Sequence, residues 1–104
     1  MPNVRDEVKR ALDVADYDGV LARLEPNVDA SRNEVLECVG LTEKAGDELS
    51  AAGDTARAVR FWRLAHAGWE VEASMATGGG EGRQRMRDVE RVAAKIARAS
   101  APPP

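Results

Sequence analysis

The sequence predicts an all-α fold of about five helices. Three observations carry that prediction. Ala, Leu, Glu, Arg and Val dominate the 104 residues, Thr, Ile and Phe are few, and no segment alternates apolar with polar residues as a half-buried strand does. Apolar residues recur at helical spacing along most of the chain. The pair Gly53-Asp54, set in LSAAGDTARAVRFWRLAH, reads as a helix stop followed at once by a helix start. Glycine takes the left-handed conformation that ends a helix at little steric cost, and aspartate accepts hydrogen bonds from the free amides that open the next helix.

The first helix spans about 3–15, with Asn3 as its cap and Val4, Val8, Leu12 and Ala15 on one face. The second is short, about 17–25, and buries Val20, Leu21 and Leu24; Pro26 disfavours further helix at Glu25. The third spans about 30–52. Ser31 and Glu34 fit a capping box there, and Val35, Val39, Thr42, Ala45 and Leu49 form its stripe.

The fourth helix, about 55–76, carries two stripes. One holds Phe61, Leu64, Gly68, Val71 and Met75, the other Ala58, Trp62, Ala65, Trp69, Ala73 and Ala76. Arg60, Arg63, Glu70 and Ser74 keep only a narrow polar face, so this helix belongs at the centre, packed on two sides. Residues 77–82 hold four glycines and predict a flexible loop. The fifth helix, about 83–99, presents Met86, Val89, Val92, Ala93 and Ile96. Residues 100–104 end in three prolines and predict a disordered tail, which leaves 1–99 as a single helical domain.

Charge is distributed unevenly. The net charge is −3, but acidic residues crowd the first half and basic residues the last twenty-two positions. An acidic front and a basic tail can pair within one molecule or between two. No apolar run approaches the ~18 residues of a membrane span, and the start MPNVRDEVKR lacks an apolar signal core. Cys38 is the only cysteine, so no internal disulfide forms. These features predict a cytoplasmic protein with no membrane association.

Around the fourth helix the chain reads Leu49-x-x-x-Gly53-Asp54-x-x-x-Ala58-x-x-Phe61-Trp62-x-x-Ala65. This resembles the tetratricopeptide repeat over residues 38–73. In that family small residues let two antiparallel helices touch, and an aromatic fills the gap towards the next unit. A second, degenerate unit lies at 3–26, where Ala15-Asp16 stands for Gly53-Asp54 and Val20 for Ala58. The offset from Asp16 to Asp54 is 38 residues, against ~34 for the family, no proline closes the second unit, and His66 sits where an aliphatic residue is more usual. The resemblance implies a non-catalytic module that presents a groove to a peptide or another protein, with Glu37, Thr42, Lys44 and Glu48 as candidate contacts. It implies open ends as well, and with them a homodimer.

Few residues suit chemistry. His66 is the only histidine and has no Cys or His at metal-ligand spacing; Glu70 is its neighbour one turn on. Cys38 beside Glu37 lacks the electropositive setting that activates a thiol. The GGGEG stretch follows a helix and lacks the Lys-Ser or Lys-Thr of a phosphate loop. Trp62 and Trp69, seven residues apart on one face, suit core packing better than an aromatic platform. Asp6, Glu7, Glu43, Asp47 and Glu48 read as solvating charge. No catalytic, cofactor or metal residue is therefore assigned. Arg87, Arg91, Lys95 and Arg98 share roughly one face of the fifth helix. That face suits a charged partner, nucleic acid or an acidic protein, or serves as a solvated surface balancing the acidic half.

Overall fold

The structure, a computed structural model, describes residues 3–28, 32–76 and 78–100. They form helices and turns, with no strand among the described residues. In chain order the helices are α1 (Val4–Asp13), α2 (Tyr17–Leu24), α3 (Arg32–Glu37), α4 (Val39–Ala51), α5 (Thr55–Met75) and α6 (Gly79–Ser100), and a 3-10 turn Glu25–Asn27 follows α2. The expected all-α class holds.

Local chemistry sets the helix ends. Asn3 Oδ1 accepts the Asp6 amide at 2.8 Å, and Asp6 and Glu7 place negative charge at the positive end of α1. Pro26 tightens the chain after α2 into the 3-10 turn. After α4, Gly53 has φ +86°. Its amide donates to Ser50 O at 3.0 Å and the next amide, that of Asp54, donates to Leu49 O at 2.8 Å. This is a Schellman cap, which satisfies carbonyls the helix end leaves open. Asp54 then accepts the Arg57 amide and opens α5.

The same turn joins α1 to α2. Ala15 has φ +57°, its amide donates to Leu12 O at 3.0 Å, and the Asp16 amide donates to Ala11 O at 2.8 Å. Asp16 then accepts the Gly19 amide, as Asp54 accepts that of Arg57. The equivalence of Ala15-Asp16 with Gly53-Asp54 is thus one of hydrogen bonding as well as sequence. Ala15 holds the left-handed conformation without glycine's freedom, which costs about 1 kcal/mol or more.

Helix α5 is the centre, with α4, α6, α3 and α2 packed around it. The expected stripes turn inward over the first two thirds of the helix, where Ala58, Phe61, Trp62, Leu64, Ala65 and Gly68 are buried, but Met75 at its end is 56 % exposed. Two glycines permit the closest approaches. A Cβ at Gly46 of α4 would lie 2.5 Å from the Trp62 indole, and one at Gly68 of α5 would lie 2.9 Å from Val39 and 3.2 Å from Val35 O. Phe61 meets the edge of Tyr17 from α2, with ring centroids 5.9 Å apart, and ties the first hairpin to the centre. Burial of a side chain of that size contributes about 2–3 kcal/mol.

Three expectations are corrected. The helix expected at 30–52 is two helices, broken at Cys38, whose φ of −100° and ψ of 9° leave the helical region. The break lies where Val35 O and Val39 close on Gly68, so tight packing bends a segment that the apolar spacing describes as continuous. Residues 30 and 31, and with Ser31 the expected capping box, lie outside the described residues. The loop expected at 77–82 is helix from Gly79 onward, with the Gly82 amide donating to Gly78 O at 2.8 Å. Glycine weakens a helix by about 1 kcal/mol without forbidding it, and contact of α6 with α5 outweighs that penalty. Residue 77 and residues 101–104 of the expected tail lie outside the described residues, and Ser100 belongs to α6. Among the described residues no helix is long and apolar enough to cross a membrane.

Candidate interaction site

The acidic half and the basic tail meet inside one molecule. Glu43, one turn before Asp47 on α4, is only 9 % exposed. Its Oε1 accepts Trp69 Nε1 at 3.0 Å and an Arg91 terminal nitrogen at 2.8 Å. Its Oε2 accepts Arg91 Nε at 2.9 Å and Lys95 Nζ at 2.8 Å. Lys95 also donates to Asp47 Oδ1 at 2.8 Å, and Trp62 Nε1 donates to the same oxygen at 3.1 Å. Arg91 and Arg85 both donate to Asp88, which is buried on α6 itself. The guanidinium groups of Arg85 and Arg91 stand 5.4 and 5.9 Å from the Trp69 ring centroid. Both indoles therefore serve the core and the α4–α6 seam together.

The seam has an electrostatic signature. Hydrogen bonds from Arg91 hold the Glu43 carboxyl well below its ordinary value, at about 2, against the opposing effect of burial. Arg91 is shifted upward chiefly by the same Glu43 bonds. Burial pulls the Lys95 ammonium down, but Asp47 and Glu43 outweigh it and the net shift is upward. Removing the Glu43 carboxylate would break the largely buried centre of this cluster, a cost of about 3 kcal/mol.

The eight candidate contacts separate into groups. Thr42 is wholly buried, and its hydroxyl donates to Val39 O at 3.0 Å, so it lies beneath the surface rather than on it. Its place on the apolar stripe gave that signal. Glu37, Lys44 and Glu48 are exposed and make no ion pair among the described residues. Arg91 and Lys95 are turned onto α4 by Glu43 and Asp47. Arg87 and Arg98 stay exposed without such partners among the described residues.

Reading Glu43 as solvating charge missed its role. Glu43-Asp47 and Arg91-Lys95 are opposite-charge pairs at the same four-residue spacing, and that match was the available signal.

Beside the seam lies an open cleft of about 630 Å³, lined by Ser50, Ala51, Thr55, Trp62 and Arg98 among others. A second surface lies at the tip of the α5–α6 hairpin. There, clefts of about 440 and 270 Å³ share Ala73 and Met86. Met86, expected on the inner stripe of its helix, is 49 % exposed.

The two chemical candidates sit in different settings. Cys38 is fully buried, and burial with the nearby charges of Glu37 and Glu34 pushes its thiol up to about 11, away from the thiolate a nucleophile needs. His66 Nδ1 lies 2.9 Å from Glu70 Oε1 on the α5 surface, the expected neighbour pair. No group of three metal-ligating residues occurs among the described residues. No family model, curated protein or solved structure matches the chain. Its own geometry therefore carries the functional reading.

Proposed function

We propose that this chain is a non-catalytic, cytoplasmic helical-hairpin module of tetratricopeptide-like type that holds another protein or a peptide. One observation carries the reading: a left-handed residue followed by a capping aspartate joins α1 to α2 and α4 to α5 through the same hydrogen bonds. Repeated hairpins with one turn geometry stack into arrays whose exposed faces bind partners. In this reading α6 closes the array, and the partner lies along α4 at Glu37, Lys44 and Glu48. The three residues are exposed, so replacing them all with alanine leaves the core intact. A protein retained by the wild-type chain and released by that variant is the expected result. Equal retention by both forms contradicts the assigned surface.

The same reading includes self-association into a homodimer, because hairpin arrays have open ends. Nucleic acid is the second reading, supported by Arg83, Arg87 and Arg98, which are exposed and without ion partners among the described residues. Reversing Arg87 and Arg98 tests it, whereas reversing Arg91 or Lys95 would break the seam. A mobility shift at low salt that this variant loses supports the reading, and no shift for the wild-type chain ends it.

A further inference from the structure

One face of α6 carries Arg83, Met86, Arg87 and Glu90, at i, i+3, i+4 and i+7. All four line the cleft of about 440 Å³ at the hairpin tip, with Ala73 of α5 opposite. Arg83, Arg87 and Glu90 are exposed and enter no ion pair among the described residues, although charge pairing is dense elsewhere on the same helix. Met86 projects a half-exposed apolar side chain in their midst. Methionine suits contact surfaces because it is flexible and polarizable.

The order of these residues is self-complementary. When the stripe is laid antiparallel on a copy of itself, with the two-fold axis between Met86 and Arg87, Arg83 meets Glu90 of the other copy and Met86 meets the Arg87 stem. No like charges pair in register. The seven-residue separation of Arg83 and Glu90 spans about 10 Å along the helix, so both ion pairs form at once, one on each side of the methionines. A two-fold interface needs this arrangement, since one patch must fit itself.

We propose that the α6 stripe Arg83-Met86-Arg87-Glu90 is the surface on which a second copy of this chain docks, antiparallel and about a two-fold axis. The proposal rests on the self-association reading above and gives it a location. It places the contact on α6 rather than at an open end of the array.

Sedimentation velocity on the full chain at ~100 µM tests it, with Arg83→Glu, Glu90→Arg, the double swap and Met86→Glu. These side chains are exposed, and circular dichroism reports that each variant keeps its helices. The wild-type chain is expected to be a dimer. Each single reversal sets like charges together twice and is expected to weaken the dimer about tenfold or more. The double swap restores the pairing with signs exchanged and returns the wild-type state, while Met86→Glu leaves a monomer. A wild-type monomer overturns both this proposal and self-association. A dimer indifferent to the single variants overturns this surface and leaves self-association standing. Failure of the double swap to rescue overturns the Arg83–Glu90 pairing.

Discussion

At the scale of the residue, Ala15 and Gly53 do the same work with different side chains. Both are left-handed, at φ +57° and +86°. Glycine holds that conformation freely, and a Cβ at Gly53 would meet nothing within 4 Å. Substitution there therefore tests backbone conformation with little packing contribution. Gly53→Ala is expected to cost about 1 kcal/mol, and Ala15→Gly to gain about 0.5–1 kcal/mol, both measured by urea unfolding. Equal effects of both substitutions on stability would contradict the shared turn. The capping aspartates differ in their surroundings. Asp54 accepts both Nε and the amide of Arg57, and these bonds hold its carboxyl below the ordinary range. Arg57 also reaches Asp18 and stacks over Tyr17, so the second turn is tied to the first hairpin.

At the scale of the element, glycine has three different roles in this chain. Gly46 leaves the space that the Trp62 indole fills, and Gly46→Ala is expected to cost about 2 kcal/mol or more by overpacking. Gly40 on the same helix has nothing within 4 Å, so Gly40→Ala is expected to be neutral or to add up to about 1 kcal/mol. Thermal unfolding of the two variants checks the contrast, and similar melting points would contradict close α4–α5 contact. Near the start of α6, Gly80 and Gly82 are tolerated by a helix whose later turns pack on α5. The central position of α5 was legible because its apolar stripes exceed what one neighbour can cover. The break at Cys38 was not, since the stripe from Val35 to Leu49 runs through it without a proline or a glycine at Cys38 itself. The helical start at Gly79 was hidden for a related reason. Local propensity opposes it, and the packing of the rest of α6 on α5 outweighs that.

At the scale of the whole molecule, the account turns on where the charges go. The uneven distribution of acid and base was visible in the sequence, but not whether they pair within one chain or between two. In the folded chain Glu43 and Asp47 meet Arg91 and Lys95 over the two indoles, closing α6 onto α4 and α5. Other pairs lie around the first hairpin: Arg23 joins Glu7 within it, and Arg23–Glu34 and Arg60–Glu25 link it to α3 and α5. Those pairs are more exposed and contribute less than the seam. The candidate contacts were legible only in part, because sequence spacing gives a helical face without saying what stands opposite it. Arg87 and Arg91 have the same residue type on the same helix. One faces solvent and the other a buried carboxylate, a difference set by Glu43 48 positions away.

The most direct test of this arrangement is the pH dependence of the stability difference between the wild-type chain and Glu43→Gln. The Glu43 carboxyl moves from an ordinary value of 4.5 to about 2 on folding. A depressed carboxyl stabilises the fold fully above its unfolded value, and that stabilisation is lost as pH falls towards the folded value. Urea unfolding is therefore expected to show the wild-type chain ahead by about 3 kcal/mol near pH 7, falling to about 1.5 kcal/mol near pH 3. A difference that stays constant over that range, or is absent at neutral pH, would contradict a Glu43-centred seam.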